Sequence, residues 1–147
     1  MSNLNHMQGI FGLLPTPYDE NLEIHTKDLS KVAKFCCDTG QHGIVWPVMV
    51  GEFWFLGEHE RLKALDTVLE TVNGKIPLVF GCSGISIPQV VHYARAAERT
   101  GVEAVIAMAP ERTDQNGAIE MYRRIAEVFS KPIMIQNADN YAPLRGD

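Results

Sequence analysis

An α/β fold built on a parallel sheet is what this 147-residue sequence predicts, and three observations carry the expectation. Five short apolar runs recur along the chain, and continuous runs of that kind belong to strands covered on both faces. Segments of helical period lie between them. The runs start at residues 10, 43, 76, 104 and 132, so successive starts differ by 33, 33, 28 and 28 residues, each step the size of one strand–helix unit.

The first run is Ile10 to Leu14. The apolar stripe that follows it, Leu29, Val32, Ala33, Cys36 and Cys37, has Lys27, Lys31, Lys34 and Asp38 off its face and stops at Thr39-Gly40, where glycine supplies the left-handed C′ position. A second run, Gly43 to Val48, leads to a helical pattern over His59 to Val72 with Leu62, Leu65, Val68, Leu69 and Val72 in phase, ended by Asn73-Gly74. After the third run, Ile76 to Gly81, Ser86 and Gln89 have the spacing of a capping box with Pro88 in the first turn, opening a helix that runs to Thr100-Gly101. Ala104 to Met108 is the fourth run, Asp114 the N-cap of a helix to about Phe129, and Pro132 to Asn137 the fifth run.

Composition narrows the class. Hydrophobic residues make up 46% of the chain and charged residues 21%, enough apolar surface for a core and too much for a disordered tail. Thirteen Lys and Arg against eighteen Asp and Glu leave a net charge of −5, so the electrostatic footprint of a DNA- or RNA-binding protein is missing and no nucleic acid is expected as a partner. No apolar run reaches the roughly 18 residues needed to cross a bilayer. Met1 to Gln8 lacks the basic flank and apolar stretch of a secretion signal, so no membrane contact is expected and the cytoplasm is the expected location. Three cysteines cannot all pair, and Cys36 adjoins Cys37 inside a helical pattern, which reads as reduced thiols. His6, His25, His42, His59 and His92 are scattered without ligand spacing, so no metal is expected.

Residues 1–147 read as a single domain, with a polar, irregular stretch over 138–147 that carries no sixth unit. Two architectures share the strand–helix order: an open doubly wound sheet, complete with five strands, and a (β/α)8 barrel, which needs about 250 residues. Length alone suits the open sheet. In both, ligands bind beyond the carboxyl ends of the strands, here Leu14 to Tyr18, Met49 to Glu52, Cys82 to Gly84, Ala109 to Arg112 and Gln136 to Asp139. Neither G-x-G-x-x-G nor a P-loop follows the first run, so no nucleotide cofactor is expected, and Gly81-Cys82-Ser83-Gly84 reads as a tight connection.

Taken in order, the segments GIFGLLPTPYDENLEI, GIVWPVMVGEFWFLGEHERLKAL and IPLVFGCSG, the Gly-Val-Glu-Ala of the fourth strand with Pro110 in its loop, and PIMIQN resemble the dihydrodipicolinate synthase and N-acetylneuraminate lyase family of Schiff-base aldolases. The likeness runs from residue 8 to residue 137. It implies a partial (β/α)8 barrel: about five parallel strands and four helices of the N-terminal part, hydrogen-bonded in sequential order, with inner-face side chains such as Val79, Ile106 and Met134 facing a groove. It also implies a pyruvate-like or 2-keto acid as small-molecule partner, a lyase or dehydratase reaction through a Schiff base, no cofactor, and a homo-oligomer in the full-length form.

The resemblance places the substrate site on this chain with departures. The family's paired hydroxyl residues before Gly-Glu fall on Met49 and Val50, which leaves their backbone amides to hold a substrate carboxylate. The family's strand-five tyrosine falls on Gln136, followed by the matching Asn137, and glutamine hydrogen-bonds but is no general acid. Pro110-Glu111-Arg112-Thr113 holds no counterpart of the strand-four tyrosine. Met49, Val50, Gln136 and Asn137 are therefore the candidate substrate-binding residues. The family's lysine belongs to a sixth strand, and Lys27, Lys31, Lys34, Lys63, Lys75 and Lys131 all lie on helices or before strands. Two functions remain open: a divergent lyase whose lysine lies beyond this chain, and a truncated, inactive fragment that at most associates with a partner. In the resemblance Glu52 reads as a carboxylate bracing its own loop; Phe53 to Phe55 read as packing or a subunit contact, Glu111 and Arg112 as a solvated pair, and Cys82 as a buried small residue.

Overall fold

Strands β1 (Phe11–Leu13), β2 (Gly43–Trp46), β3 (Leu78–Gly81), β4 (Ala104–Ala107) and β5 (Ile133–Ile135) alternate with helices α1 (Thr26–Asp38), α2 (Glu58–Val72), α3 (Ile87–Glu98) and α4 (Gln115–Val128). This computed structural model describes residues 7–137, so the expected irregular stretch 138–147 lies outside the described residues. Three of the strands stop short of their apolar runs for a covalent reason. Pro47 follows β2, Pro77 precedes β3 and Pro132 precedes β5, and proline has no N–H to give a ladder. The prolines still accept: Ile44 N–H donates to Pro77 O at 2.9 Å and Val105 N–H to Pro132 O at 3.1 Å.

The helix boundaries follow local chemistry. Gly40 takes φ +75° just past α1, and Asn73 takes φ 45° at the end of α2 with its N–H on Leu69 O at 2.8 Å. The Asp114 side chain accepts from Gly117 N–H at 2.7 Å. The capping box at α3 is half formed: Ser86 Oγ accepts from Gln89 N–H at 3.4 Å, but Gln89 Oε1 takes the N–H of Ile85 rather than that of Ser86.

The sheet order is β1-β2-β3-β4-β5 with every pair parallel. An open flavodoxin-like sheet would put β1 between β2 and β3, so the sequential order is that of a barrel arc. The two faces of the arc differ. Ile44, Trp46, Leu78, Phe80, Val105 and Ala107 belong to the main core, which also holds the buried residues of all four helices. Phe11, Val45, Val79, Ala104, Ile106 and Met134 form a smaller cluster with no helix residue in it. The helices thus lie on the convex side, and the concave side is the barrel interior. The expected groove needs one correction: Ile106 and Met134 are half-buried, but Val79 is fully buried, because the curl of the sheet presses inner side chains of neighbouring strands together.

Candidate functional site

The loops at the carboxyl ends of β1 and β2 are tied together by Thr16. Its hydroxyl donates to Gly51 O at 2.6 Å and accepts from the Trp46 indole N–H at 3.0 Å, all inside the core. The loop after β2 is two 3-10 turns, Met49–Gly51 and Phe53–Phe55. Glu52 joins them in the left-handed conformation, φ 53°. Its N–H donates to Met49 O at 3.0 Å and its carbonyl accepts from Phe55 N–H at 2.9 Å, so the backbone of Glu52 ties the two turns together. This loop can lie against β3 only because residue 81 is glycine: a Cβ there would sit 1.7 Å from Pro47 O.

Arg61 is the residue that the sequence reading missed. It is fully buried on α2, donates to Ser83 O at 2.8 Å and to Gly81 O, and stacks on Tyr93 with its guanidinium carbon 4.0 Å from the ring centroid. Burial lowers its pKa to about 10, which leaves it a cation at neutral pH. No ion pair among the described residues involves it, so the carbonyls and aromatic faces are its counter-charge. Ser83, placed by this clamp, accepts Met108 N–H on its hydroxyl at 2.9 Å, which links the ends of β3 and β4. A signal existed: Arg61 stands four residues before Leu65 and seven before Val68, on the buried stripe.

A cavity of about 290 Å³ opens between these loops, lined by Phe53, Trp54, Ile85, Met108, Pro110 and Arg112 among others. Phe53 and Trp54 stack with centroids 4.3 Å apart, Phe53 facing the core. Glu111 and Arg112 are exposed at its rim, as a solvated pair would be. Cys82 lies beneath, fully buried, its thiol pushed up to about 12 by that burial, which suits packing and not nucleophilic attack. Tyr122 donates to Ala107 O at 2.7 Å, and burial pushes it, too, up to about 12.

None of the four candidate substrate residues lines this cavity. Met49 is half-buried against the main core and Val50 is 51% exposed in the turn after β2. Gln136 and Asn137 follow β5, with β3 and β4 lying between them and the Met49–Val50 turn. Gln136 N–H donates to Ala107 O at 2.9 Å, and its side-chain Oε1 is buried without a hydrogen-bond partner. Tyr18, at the end of the β1 loop, holds a second buried hydroxyl without a partner, its pKa raised by burial and by Glu52 and Glu60. The lysines stand elsewhere: Lys31 and Lys34 pair with Asp28 and Asp38 on α1, and Lys131 donates to Val102 O at 2.6 Å at the amino end of the sheet. Among the described residues no group of three or more His, Cys, Asp or Glu side chains is placed to hold a metal ion, and no helix is long and apolar enough to cross a membrane.

The sequence model of the dihydrodipicolinate synthetase family matches residues 6–143. This chain belongs to that family. It is 32% identical over 124 residues to the 4-hydroxy-tetrahydrodipicolinate synthase of Desulforudis audaxviator, a match covering 83% of this chain and 42% of that protein. The crystal structure of a dihydrodipicolinate synthase from Bacillus anthracis superimposes with a TM-score of 0.84 at 25% identity, over 91% of this chain and 47% of that one. For a Ruminococcus gnavus sialic acid aldolase, a catalytic lysine mutant, the TM-score is 0.90 at 21% identity, over 97% of this chain and 48% of that one, a likeness of fold. The chain therefore spans less than half the length of each of these proteins. The partial (β/α)8 barrel expected from the sequence is the fold found.

Proposed function

We propose that this chain forms the substrate-carboxylate side of a Schiff-base lyase or dehydratase acting on a pyruvate-like or other 2-keto acid, with the imine-forming lysine supplied by a further strand. The observation that carries the reading is the family match over residues 6–143, which includes the loop from Met49 to Glu52 at the carboxyl end of β2. Met49 and Val50 open a helical turn, where N–H groups have no acceptor within the helix, and that is a suitable partner for a carboxylate. The unpaired Oε1 of Gln136 offers an acceptor to a hydroxyl or N–H of the substrate on the other side.

The chemistry asks for a neutral amine that adds to the C2 carbonyl, with loss of water, to give the imine. All six lysines of this chain lie on helices or before strands, and none stands at the carboxyl end of a strand, where the substrate would lie. Incubated with pyruvate and borohydride, the 147-residue chain is expected to give no specific adduct by mass spectrometry, whereas a version extended through a lysine-bearing sixth strand is expected to give one. A single stoichiometric adduct on one of the six lysines, with turnover, would overturn this reading. The exposed Trp54, Phe55 and Ile85 beside the cavity suit a subunit contact in a full-length homo-oligomer, and three free thiols suit the cytosol.

A further inference from the structure

At the amino end of the sheet the segment before β1 is held by one side chain. His42 N–H donates to Ile10 O at 2.8 Å, and Ile10 N–H donates in return to His42 Nδ1 at 3.0 Å. Two glycines shape the contact. A Cβ at Gly9 would run into the His42 ring and a Cβ at Gly43 into the Phe11 ring, so each ring lies over bare backbone of the neighbouring segment. Met7 packs on the concave cluster of Val45, Val48, Val79 and Ala104. Within residues 7–10, Ile10 alone makes a hydrogen bond to the described residues, so the two bonds to His42 are the polar tether of this segment.

We infer that His42 is a pH-sensitive clasp on this segment, closed while its imidazole is neutral and open once the ring is protonated. A ring nitrogen accepts a hydrogen bond only when it carries no proton, and the protonated ring has a donor on both nitrogens. Nδ1 would then turn an N–H toward the Ile10 N–H, 3.0 Å away, and two donors would face each other with no acceptor between them. Either the ring swings out or the segment lifts. The bond from His42 N–H to Ile10 O joins backbone to backbone and does not depend on the charge of the ring, so the freed part is residues 7–9, with Met7 untethered from the concave cluster. The residues beside the ring, Gly9 and Ile10 before β1 and Gln41 and Gly43 along its own chain, carry no charge. Of the titratable groups at this end of the sheet, Asp38 pairs with Lys34, and Cys37 has Lys34 and Lys75 near it. No charged side chain among the described residues pairs with His42. Imidazole is the side chain that ordinarily gains its charge within the physiological range, so the clasp is closed at the alkaline end of that range and open at the acid end.

The test is NMR on the whole 147-residue chain, isotope-labelled at nitrogen and at the methionine methyl carbons, as pH is lowered from about 8 to 6. At the higher pH a coupling between nitrogens across the hydrogen bond is expected to join the Ile10 amide to His42 Nδ1. It is expected to fade in step with protonation of the ring, read from the ring's own nitrogen signals, while the Met7 methyl signal moves toward the position of a solvated methionine. The indole N–H of Trp46, held by Thr16 in the convex core, is expected to stay in place. In His42→Asn, whose amide oxygen stands in for Nδ1 and takes no proton, the Met7 signal is expected not to move with pH. A coupling absent at the higher pH would overturn the inference. So would a coupling that survives protonation of the ring, a Met7 signal that holds still while the coupling is lost, or one that moves in His42→Asn as it does in the unsubstituted chain. Movement of the Trp46 indole signal in step with Met7 would overturn it as well, since the whole fold would then be titrating. No activity is read, so the outcome does not depend on the lyase proposal.

Discussion

The two faces of the sheet carry side chains of the same kind and live in different surroundings. On the convex side Ile44, Trp46, Leu78, Phe80 and Val105 are sealed under four helices. On the concave side, among the described residues, Val45 and Val79 pack with Val48 and Ala104 and with no helix residue, and Ile106 and Met134 stay half-buried. A strand covered on both faces and a strand covered on one read alike in sequence, since both are runs of β-branched and aliphatic residues. What separates them here is curvature, which no single run encodes. In energetic terms, the cohesion of the described residues sits under the helices, and the concave side is left to meet other groups.

The sharpest way to break this contrast is to truncate one side chain on each face. Phe80→Ala, in the convex core, is expected to cost about 3–5 kcal/mol in urea unfolding. Met134→Ala, on the concave face, is expected to cost about 1 kcal/mol, because a half-exposed side chain loses only part of its transfer energy. Equal costs would mean that the concave face is as closed as the convex one. Next in size is Arg61→Met, which keeps the length of the side chain and leaves the carbonyls of Gly81 and Ser83 without their donor. A loss of about 2–3 kcal/mol is expected, measured the same way. A neutral or stabilising result would show that the desolvated cation costs more than its bonds return.

The smallest effect concerns pH. Glu98, at the end of α3, accepts from both the hydroxyl and the N–H of Ser130, at 2.7 and 2.9 Å, and these bonds hold its carboxyl below the usual range. A carboxyl whose pKa is lower folded than unfolded contributes above its unfolded value, and the contribution is lost as pH falls through the folded one. The melting temperature is therefore expected to drop as pH is lowered from about 5 to 3, less steeply in Glu98→Gln. An unchanged slope would show that this contact between the outer helices and the turn before β5 is not felt by the fold.

How far the sequence was legible follows the same division. Strand–helix order, the caps at Asp114 and Asn73, and the barrel connectivity were readable, because each depends on neighbours within a few residues or on the order of motifs that marks the family. Strand lengths were overread at Pro47, Pro77 and Pro132, where apolar character continues but the ladder cannot. Arg61 was hidden by its charge. Its place on the buried stripe was visible in the spacing, yet a cation is read as surface unless its partners are known, and those are backbone carbonyls of a strand some twenty residues away. The unpaired Oε1 of Gln136 and hydroxyl of Tyr18 are likewise three-dimensional facts, since lack of a partner has no sequence pattern.

The chain has two tryptophans, and the fold gives them opposite optical environments. Trp46 is sealed in the convex core with its indole N–H held by Thr16, while Trp54 sits partly in water at the edge of the cavity, stacked on Phe53. The first indole emits from an apolar medium and is shielded from iodide; the second emits further to the red and is open to the quencher. One emission spectrum therefore carries two independent signals, one that follows global unfolding and one that follows whatever enters or covers the mouth of the barrel.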